Sequence, residues 1–334
     1  MSSHTALALA HPNIAFIKYW GNRDDDLRLP ANGSISMNLE GLETRTRVDF
    51  EDSLSADELT INDENPDKSA TERVSRMLDE IRRMAGMQQF ARVESHNNFP
   101  LGVGIASSAS GFAALALAAS QAAGLDLDEP TLSCLARHGS GSACRSIPGG
   151  FVEWKVGAGD ADSIAVSMAS PGYWDLEDCI VLLSSSLKVT GSSMGHRLAG
   201  TSPFQAARVE DAPRRLAICR EAILGHSFAI FASIVEEDSN LMHAVMMTSR
   251  PPLFYWLPGT LRVMQAVKAA RAQGLPACYT VDAGPNVHVL CERTAVEETI
   301  KLVEGLPGVR EVRRARAGGP ARLVEDFPKS DEGS

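Results

Sequence analysis

The sequence predicts an α+β fold, and three observations support that prediction. Short apolar or alternating segments, typical of strands, are interleaved with longer amphipathic or alanine-rich segments, typical of helices. The second half runs in β-α-β order, which suits a ferredoxin-like arrangement. The 334 residues suffice for one large or two modest domains with a sizeable core.

The elements of the first half follow from periodicity and from residues that begin or end helices. Alternation through Thr44, Thr46 and Val48 indicates a strand. Apolar positions from Val74 to Met84 recur at helical spacing. We assign, in chain order, a strand at 5–18, a strand at 44–50, a loop or hairpin at 53–68, a helix at 69–86, a helix from Ser110 to Gly124 that Ser108 caps, and a helix from Pro130 to Gly139.

The second half alternates between the two element types in the same way. Thr260 is expected to cap one of its helices and Gly274 to end that helix. We assign, in chain order, two strands within 148–170 around a Gly157–Gly159 turn, a strand at 178–185, helical structure from Pro203 to about 247, a helix at 260–273, strands at 278–281 and 286–291, and a helix at 294–305.

Composition and charge exclude several classes of protein. The net charge of −10 argues against nucleic-acid binding, which needs clustered lysine and arginine. The six cysteines are scattered without metal or redox spacing. No apolar run is long enough to span a membrane, and the opening residues lack a basic region. We therefore expect a cytoplasmic protein with reduced thiols, no membrane segment and no nucleic-acid partner.

The glycine-rich stretch at residues 100–112 is the most informative local pattern. Gly102 and Gly104 allow tight backbone turns, and the hydroxyls of Ser107 and Ser108 precede a strong helix-forming segment. Such a loop at a helix N-terminus binds phosphate through backbone amides and the helix dipole. A simple capping turn explains the same residues equally well, and no Gly-Lys-Ser/Thr follows, so this is not a Walker A motif.

Several motifs, in order along the chain, resemble one enzyme family. The pattern Pro-x-x-x-Gly-Ile-x-Ser-Ser-Ala at 100–109 resembles the ATP loop of the small-molecule kinases grouped with galactokinase, homoserine kinase and mevalonate kinase. The further matches to mevalonate diphosphate decarboxylases are residues 12–24, Asn98-Phe99-Pro100, the loop from Gly139 to Ser146, Pro251-Pro252 and Asp282-Ala-Gly-Pro-Asn286. The resemblance covers about residues 5–325, and ordered motifs are far more specific than any single one.

The resemblance implies a two-domain fold and a set of partners. It implies a ribosomal-protein-like α/β domain at 1–177 that binds ATP and substrate, and a ferredoxin-like domain at 178–325. The polar tail at 326–334 is expected to be disordered. The family uses ATP and Mg²⁺ on a small-molecule substrate, and we expect a homodimer.

The family's chemistry needs an anionic group and cations around a tertiary alcohol. Phosphorylation of the hydroxyl makes it a leaving group, and loss of carbon dioxide then supplies the electrons of the alkene. By resemblance, Asp282 contacts the hydroxyl, while Arg145 and Lys18 complete the catalytic set. The alternatives are a turn residue for Asp282, a surface ion pair for Arg145 and an outward-pointing chain for Lys18.

The remaining site residues are assigned by the same motifs. The substrate residues are Asn13, Tyr19, Trp20, Gly21, Asn22, Ser140, Gly141, Ser142, Arg145 and Ser192. The nucleotide residues are Asn97, Asn98, Gly102, Gly104, Ser107, Ser108 and Lys188. Tyr19 and Trp20 have core packing as their alternative role, and His243 is expected to make a structural hydrogen bond. Metal ligands receive no assignment.

Two departures from the family pattern bear on the substrate. The family usually reads Lys-Tyr-Trp-Gly-Lys, but here Asn22 stands at the last position. Bacterial members carry a Ser-Arg pair where this chain has Gly191-Ser192-Ser193. Both changes remove a cation near the distal phosphate, so we expect mevalonate 5-phosphate to be the substrate and isopentenyl phosphate the product. The diphosphate decarboxylase, a 3-kinase that stops before decarboxylation, and a non-enzymatic binding module stay as alternatives.

Overall fold

The computed structural model describes residues 4–99, 107–183 and 191–327. Its strands are β1 (Thr5–Ala10), β2 (Asn13–Ile17), β3 (Asn22–Asp24), β4 (Leu29–Pro30), β5 (Ser34–Glu40), β6 (Thr44–Glu51), β7 (Glu58–Ile61), β8 (Phe90–Asn97), β9 (Phe151–Trp154), β10 (Ala165–Ala169), β11 (Leu176–Leu182), β12 (Ala277–Thr280), β13 (Val287–Glu292), β14 (Glu311–Ala317) and β15 (Arg322–Leu323). Its α-helices are α1 (Lys68–Ala85), α2 (Ser107–Ala122), α3 (Glu129–Gly139), α4 (Ser192–Leu198), α5 (Gln205–Glu210), α6 (Ala212–Leu224), α7 (Phe228–Thr248), α8 (Pro258–Ala272) and α9 (Val296–Glu304).

A five-stranded sheet and the helices α1, α2 and α3 form one layered core. The sheet order is β15-β1-β6-β8-β7, antiparallel except where β7 runs parallel to β8. Helix α2 consists largely of alanine, so it lies close against β1 and β6 with most of its residues buried. This packing fixes the N-terminal end of α2, where Ser107 and Ser108 lie, relative to the sheet.

An eight-stranded sheet forms the second core and contains the predicted ferredoxin-like unit. Its order is β10-β9-β5-β14-β11-β13-β12, and β2 also pairs with β5. Within it, the chain order β11, helices, β12, β13, α9, β14 gives the spatial order β14-β11-β13-β12, in which each pair is antiparallel. This is the β-α-β-β-α-β arrangement of a ferredoxin-like fold, so the α+β prediction is confirmed.

Most predicted elements are confirmed, and four details are wrong. The strand expected at 5–18 is two strands in different sheets, because Pro12 cannot donate to a ladder and the chain changes direction there. The segment at 53–68, expected to be a loop or hairpin, contains β7, whose parallel partner β8 lies outside that segment. Ser108 lies inside α2 and does not precede it. Thr260 lies inside α8, where its hydroxyl accepts from the backbone N–H of Leu257 and donates to the Pro285 carbonyl.

The two halves of the chain share their sheets. Strand β5 pairs with β14, and β1 pairs with β15, so sheets from the first half are extended by strands of the second half. The boundary at residue 177 stays a prediction, as does a disordered tail at 326–334, most of which lies outside the described residues. All six cysteines, each in the described part, are free thiols. Among the described helices, none has the length and apolar character needed to cross a membrane.

Candidate active site

The centre of the site is an ion pair between Lys18 and Asp282. Lys18 directly follows β2, and Asp282 follows β12 two residues after the strand ends. Their side chains meet with 2.6 Å between Lys18 Nζ and Asp282 Oδ1, and they are 2% and 27% exposed, respectively. Burial lowers the pKa of Lys18, and the charge of Asp282 opposes that effect. The lysine therefore points into the site, and the partly open carboxylate remains accessible to a ligand.

The backbone around this pair is held rigidly. The N–H of Lys18 donates to Asp238 Oδ2 at 2.6 Å, and the Lys18 carbonyl accepts from Arg208 Nη2 at 2.8 Å. His243 donates from Nε2 to the carbonyl of Asp282 at 2.8 Å. Burial lowers the pKa of His243 to about 4, so the ring stays neutral and makes the structural hydrogen bond expected of it.

Arg145 lies beside this pair on a short 3₁₀ helix at Gly141–Ser146. Its Nε and Nη2 donate to Asn13 Oδ1 at 3.1 and 3.0 Å, and its Nη1 donates to Ser34 Oγ at 2.8 Å. Burial is the main cause that lowers its pKa, and Asp282 is close enough to favour its charged form. None of the described carboxylates forms an ion pair with Arg145, which leaves a buried cation available for an anionic ligand.

Asn13 and Gly141 position the residues around them. The amide of Asn13 donates to Ser146 Oγ at 2.8 Å and to the Ser142 carbonyl at 3.2 Å, so Asn13 ties Arg145 to its own helix. A Cβ on Gly141 would lie 2.5 Å from the Tyr19 hydroxyl oxygen. Only glycine allows that ring to approach so closely.

Tyr19 and Asn22 lie at one end of the site. The Tyr19 hydroxyl donates to Asn22 Oδ1, and Asn22 Nδ2 donates to Asp25 Oδ1 at 2.7 Å. The Tyr19 ring contacts those of Trp154 and His196 at centroid distances of 4.7 and 4.1 Å. Burial raises the pKa of Tyr19, so its hydroxyl stays protonated and acts as a donor.

The expected nucleotide residues and substrate residues meet at one point. Ser108 Oγ lies 3.2 Å from Ser140 Oγ, which joins the start of α2 to the loop that carries Arg145. Ser107, Ser108 and Asn97 line a mainly apolar cavity of about 250 Å³. The N-terminal end of α2 therefore adjoins the predicted substrate loop.

A larger cavity of about 690 Å³ is lined by several arginines. It is also lined by Asn22, which accepts the hydrogen bond from Tyr19. Arg73 lines both this cavity and the apolar one, so it lies between them. The other cationic or imidazole side chains lining the larger cavity are Arg28, Arg76, Arg83, His138, His196 and Arg197, and its acidic side chains are Asp25, Asp26, Glu80 and Asp160.

Sequence reasoning missed His196 and the cavity arginines. His196 Nδ1 accepts from the Gly21 N–H at 3.0 Å, and its ring contacts Tyr19 and Trp20. Burial, followed by the charge of Arg28, lowers the pKa of His196 to about 3, so the ring is neutral. The only sequence signal was that His196 follows closely on the segment expected to face the distal phosphate.

Three expected site residues are held mainly by the protein itself. Trp20 packs in an apolar cluster with residues such as Met242, and Gly21 adopts φ +93° where a Cβ would meet Gln205. Asn98 bonds at both ends to backbone of Gly41 and Glu43. Gly102, Gly104 and Lys188 lie outside the described residues, as does the side chain of Ser192, whose backbone begins α4.

The described side chains contain no group of three or more His, Cys, Asp or Glu arranged to hold a metal ion. Mg²⁺ bound with a nucleotide takes most of its ligands from phosphate oxygens and water, with one or two from protein. The hydroxyls of Ser107 and Ser108 and the carboxylate of Asp282 are oxygen donors of the required kind.

Models of two protein domains match most of the chain. A model of the diphosphomevalonate decarboxylase-like N-terminal domain matches residues 10–165, and one of the mevalonate 5-diphosphate decarboxylase C-terminal domain matches residues 179–322. The chain is similar to the diphosphomevalonate decarboxylase of Candida albicans, with 36% identity covering 90% of this chain and 88% of that one. It is 37% identical to the Homo sapiens diphosphomevalonate decarboxylase, covering 88% of this chain and 79% of that one.

Solved structures show the same likeness. The mevalonate diphosphate decarboxylase of Staphylococcus aureus has a TM-score of 0.92 and 37% identity, covering 96% of this chain and 98% of that one. A structure of MDDEF in complex with MVAPP, AMPPCP and magnesium has a TM-score of 0.91 and 37% identity, covering 96% and 99%. The shared sequence and fold over nearly the whole chain show that this protein belongs to the diphosphomevalonate decarboxylase family.

Proposed function

We propose that this chain is an ATP- and Mg²⁺-dependent decarboxylase of a 5-phosphorylated mevalonate. One observation carries the proposal: a partly open Asp282 carboxylate is paired with buried Lys18, beside an Arg145 guanidinium that no described carboxylate neutralises. This arrangement can bind an alcohol at the carboxylate and an anion at the guanidinium. The relatives named above are decarboxylases of such a substrate.

The chain's residues supply the binding and proton chemistry that the reaction needs. Asp282 accepts a hydrogen bond from the tertiary hydroxyl and aligns its oxygen for phosphoryl transfer. Lys18 pairs with Asp282 and adds positive charge beside the phosphoryl group. Arg145 binds the substrate carboxylate, and it is aimed there because Asn13 and Ser34 fix the guanidinium plane.

The nucleotide site fits ATP with Mg²⁺. The apolar cavity has room for a planar base, and its polar edge at Ser107 and Ser108 faces the loop of Arg145. Arg73 lies between the two cavities, and its Nε, which is buried, lacks a hydrogen-bond partner among the described residues. A polyphosphate would satisfy that donor. When bound, Mg-ATP supplies the phosphoryl group that makes the hydroxyl a leaving group.

The relatives support mevalonate 5-diphosphate as the substrate better than the monophosphate expected from sequence. They are named for the diphosphate, and a related structure is a complex with MVAPP. The charge argument for the monophosphate rested on cations missing at Asn22 and around Ser192, but Arg28, Arg73 and Arg76 line the cavity next to Asn22. We therefore propose the diphosphate as substrate and isopentenyl diphosphate as product.

Mevalonate 5-phosphate is the second candidate, and one contact favours it. The Asn22 amide donates to Asp25, so a carboxylate lies beside the position where the family usually has a lysine. A carboxylate there repels a distal phosphate.

Turnover with both substrates tests these proposals. ADP release coupled to trapped carbon dioxide is expected with at least one of the two phosphorylated mevalonates. ADP release without carbon dioxide would indicate a kinase, and the absence of ATP turnover with both substrates would leave only a binding protein. Asp282→Asn should reduce kcat by about 10²–10⁴ with little change in KM.

Comparing kcat/KM for the two substrates identifies the natural one. Asn22→Lys should raise the ratio for diphosphate over monophosphate about tenfold, since a new charge-assisted contact of about 1.4 kcal/mol corresponds to that factor. Asn22→Gln is the matched control, because it lengthens the side chain without adding charge. A homodimer also remains part of the proposal, and sedimentation equilibrium measures it directly.

A further inference from the structure

Arg28 has a backbone conformation that its residue type does not favour. It lies in the turn between β3 and β4 with φ +51°, in the left-handed region where glycine and asparagine are preferred. An arginine retained there at a conformational cost indicates that its side chain has a function.

The side chain of Arg28 lies in the large cavity and is only partly paired. Its Nε donates to the His138 carbonyl at 2.9 Å, and its terminal nitrogens make no hydrogen bond to any described residue. Burial, together with the positive charges of Arg76 and Arg197, lowers its pKa, while Tyr19 and Asp25 act in the opposite direction. The guanidinium therefore faces the cavity that Asn22 also lines.

Two more arginines face the same space. Arg73 donates from Nη2 to the Gly139 carbonyl at 2.9 Å, and burial and the charges of Arg28 and Arg76 lower its pKa to about 10. Arg76 is exposed, and its one hydrogen bond within the described part is to its own helix. Three like charges close enough to perturb one another are stabilised when a polyanion binds between them.

The cavity's own carboxylates are largely engaged with other groups. Glu80 and Asp160 lie 3.0 and 2.8 Å from the two ring nitrogens of His138, and Asp25 accepts from Asn22. None of the described acids lies within ion-pair distance of Arg28, Arg73 or Arg76. The positive charge is thus left for a ligand.

We propose that Arg28 binds the terminal phosphate of the substrate and supplies the cation that Asn22 does not. This inference rests on the proposed function and deepens it by naming the residue that determines affinity for the phosphorylated end. Arg28 is suited to this role because it lines the same cavity as Asn22 and does not line the nucleotide cavity, whereas Arg73 lines both.

The turn conformation permits a sharp test. Arg28→Gly removes the guanidinium and suits the positive φ, whereas Arg28→Ala removes the same group and retains the strain. Both should raise KM for the phosphorylated mevalonate about tenfold to a hundredfold, with smaller effects on kcat and on KM for ATP. Arg28→Lys should recover part of the loss. Arg23→Gln, which removes one charge from the same hairpin outside the cavity, is the control and should leave KM for substrate near the wild-type value.

The outcomes separate this inference from the proposed function. An unchanged substrate KM in an active Arg28→Gly enzyme, or a rise only in KM for ATP, would overturn the role of Arg28. If the wild-type protein turns over neither substrate, calorimetric titration with inorganic pyrophosphate still decides the anion site. Weaker pyrophosphate binding by Arg28→Gly than by wild type and Arg23→Gln would support it, and equal binding would overturn it. A melting temperature of Arg28→Gly at or above that of wild type would show that a lost fold is not the cause.

Discussion

Removing the carboxylate from the Lys18–Asp282 pair should cost a calculable and pH-dependent amount of stability. The Lys18 side chain is 2% exposed and its ammonium lies 2.6 Å from Asp282. Asp282→Ala would leave that ammonium buried without its ion-pair partner. Breaking a buried pair by removing one partner typically costs about 3–5 kcal/mol.

Lys18 can release its proton, and this limits the loss of stability. An unpaired Lys18 can become neutral, which costs about 1.36 kcal/mol for each pH unit below its ordinary pKa of about 10.4. The limit is therefore about 4.6 kcal/mol at pH 7 and about 1.9 kcal/mol at pH 9. Because the folded state holds this pKa below its unfolded value, the unfolded chain binds more protons and the variant's stability rises with pH.

Urea denaturation at the two pH values measures the effect. We expect Asp282→Ala to lose about 3–4.6 kcal/mol of unfolding free energy at pH 7 and at most about 2 kcal/mol at pH 9, each relative to wild type at that pH. Adding Lys18→Met should recover most of the pH 7 loss, because the buried charge is then gone. An equal loss at both pH values, with no recovery in the double variant, would show that the buried charge of Lys18 is not the cause.

Three other substitutions test the rest of the site. Arg145→Lys keeps a charge but loses the planar fork, so kcat/KM should fall about a hundredfold, equivalent to ~3 kcal/mol; a change below threefold would contradict this role. Gly141→Ala places a methyl group 2.5 Å from the Tyr19 hydroxyl and should raise substrate KM, whereas Gly172→Ala, with nothing within 4 Å, should not. Because burial lowers the pKa of His196 to about 3, wild-type stability falls as the pH drops from 6.5 towards that value. Between pH 6.5 and 4.5, the urea midpoint of His196→Gln should fall less than that of wild type. Equal decreases in the two proteins would contradict the role of His196 in this pH dependence.

The sequence-based predictions were wrong mainly where an element forms only by pairing with a segment far away in the chain. The helix at Lys68–Ala85 was predicted to within one residue, because its apolar periodicity and its left-handed Gly86 cap are local properties. Strand β7 was not predicted, since a short acidic segment becomes a strand only by pairing with β8. The segment at 5–18 was predicted as one strand but forms two, because its two parts pair in different sheets.

The helices, several of the strands and the family could be predicted from the sequence, because periodicity, caps and ordered motifs are local properties of the chain, whereas strands such as β5, β8 and β14 were not predicted. The sequence also named Lys18, Arg145 and Asp282, which the structure brings together. The pairing of Lys18 with Asp282, 264 positions away, became visible only in the folded structure. The same is true of the cavity that Arg28 and Arg73 line next to Asn22. The physical reason is that charge at a site sums over every side chain that folding brings near. A missing cation at one position therefore says little until the space around it is known.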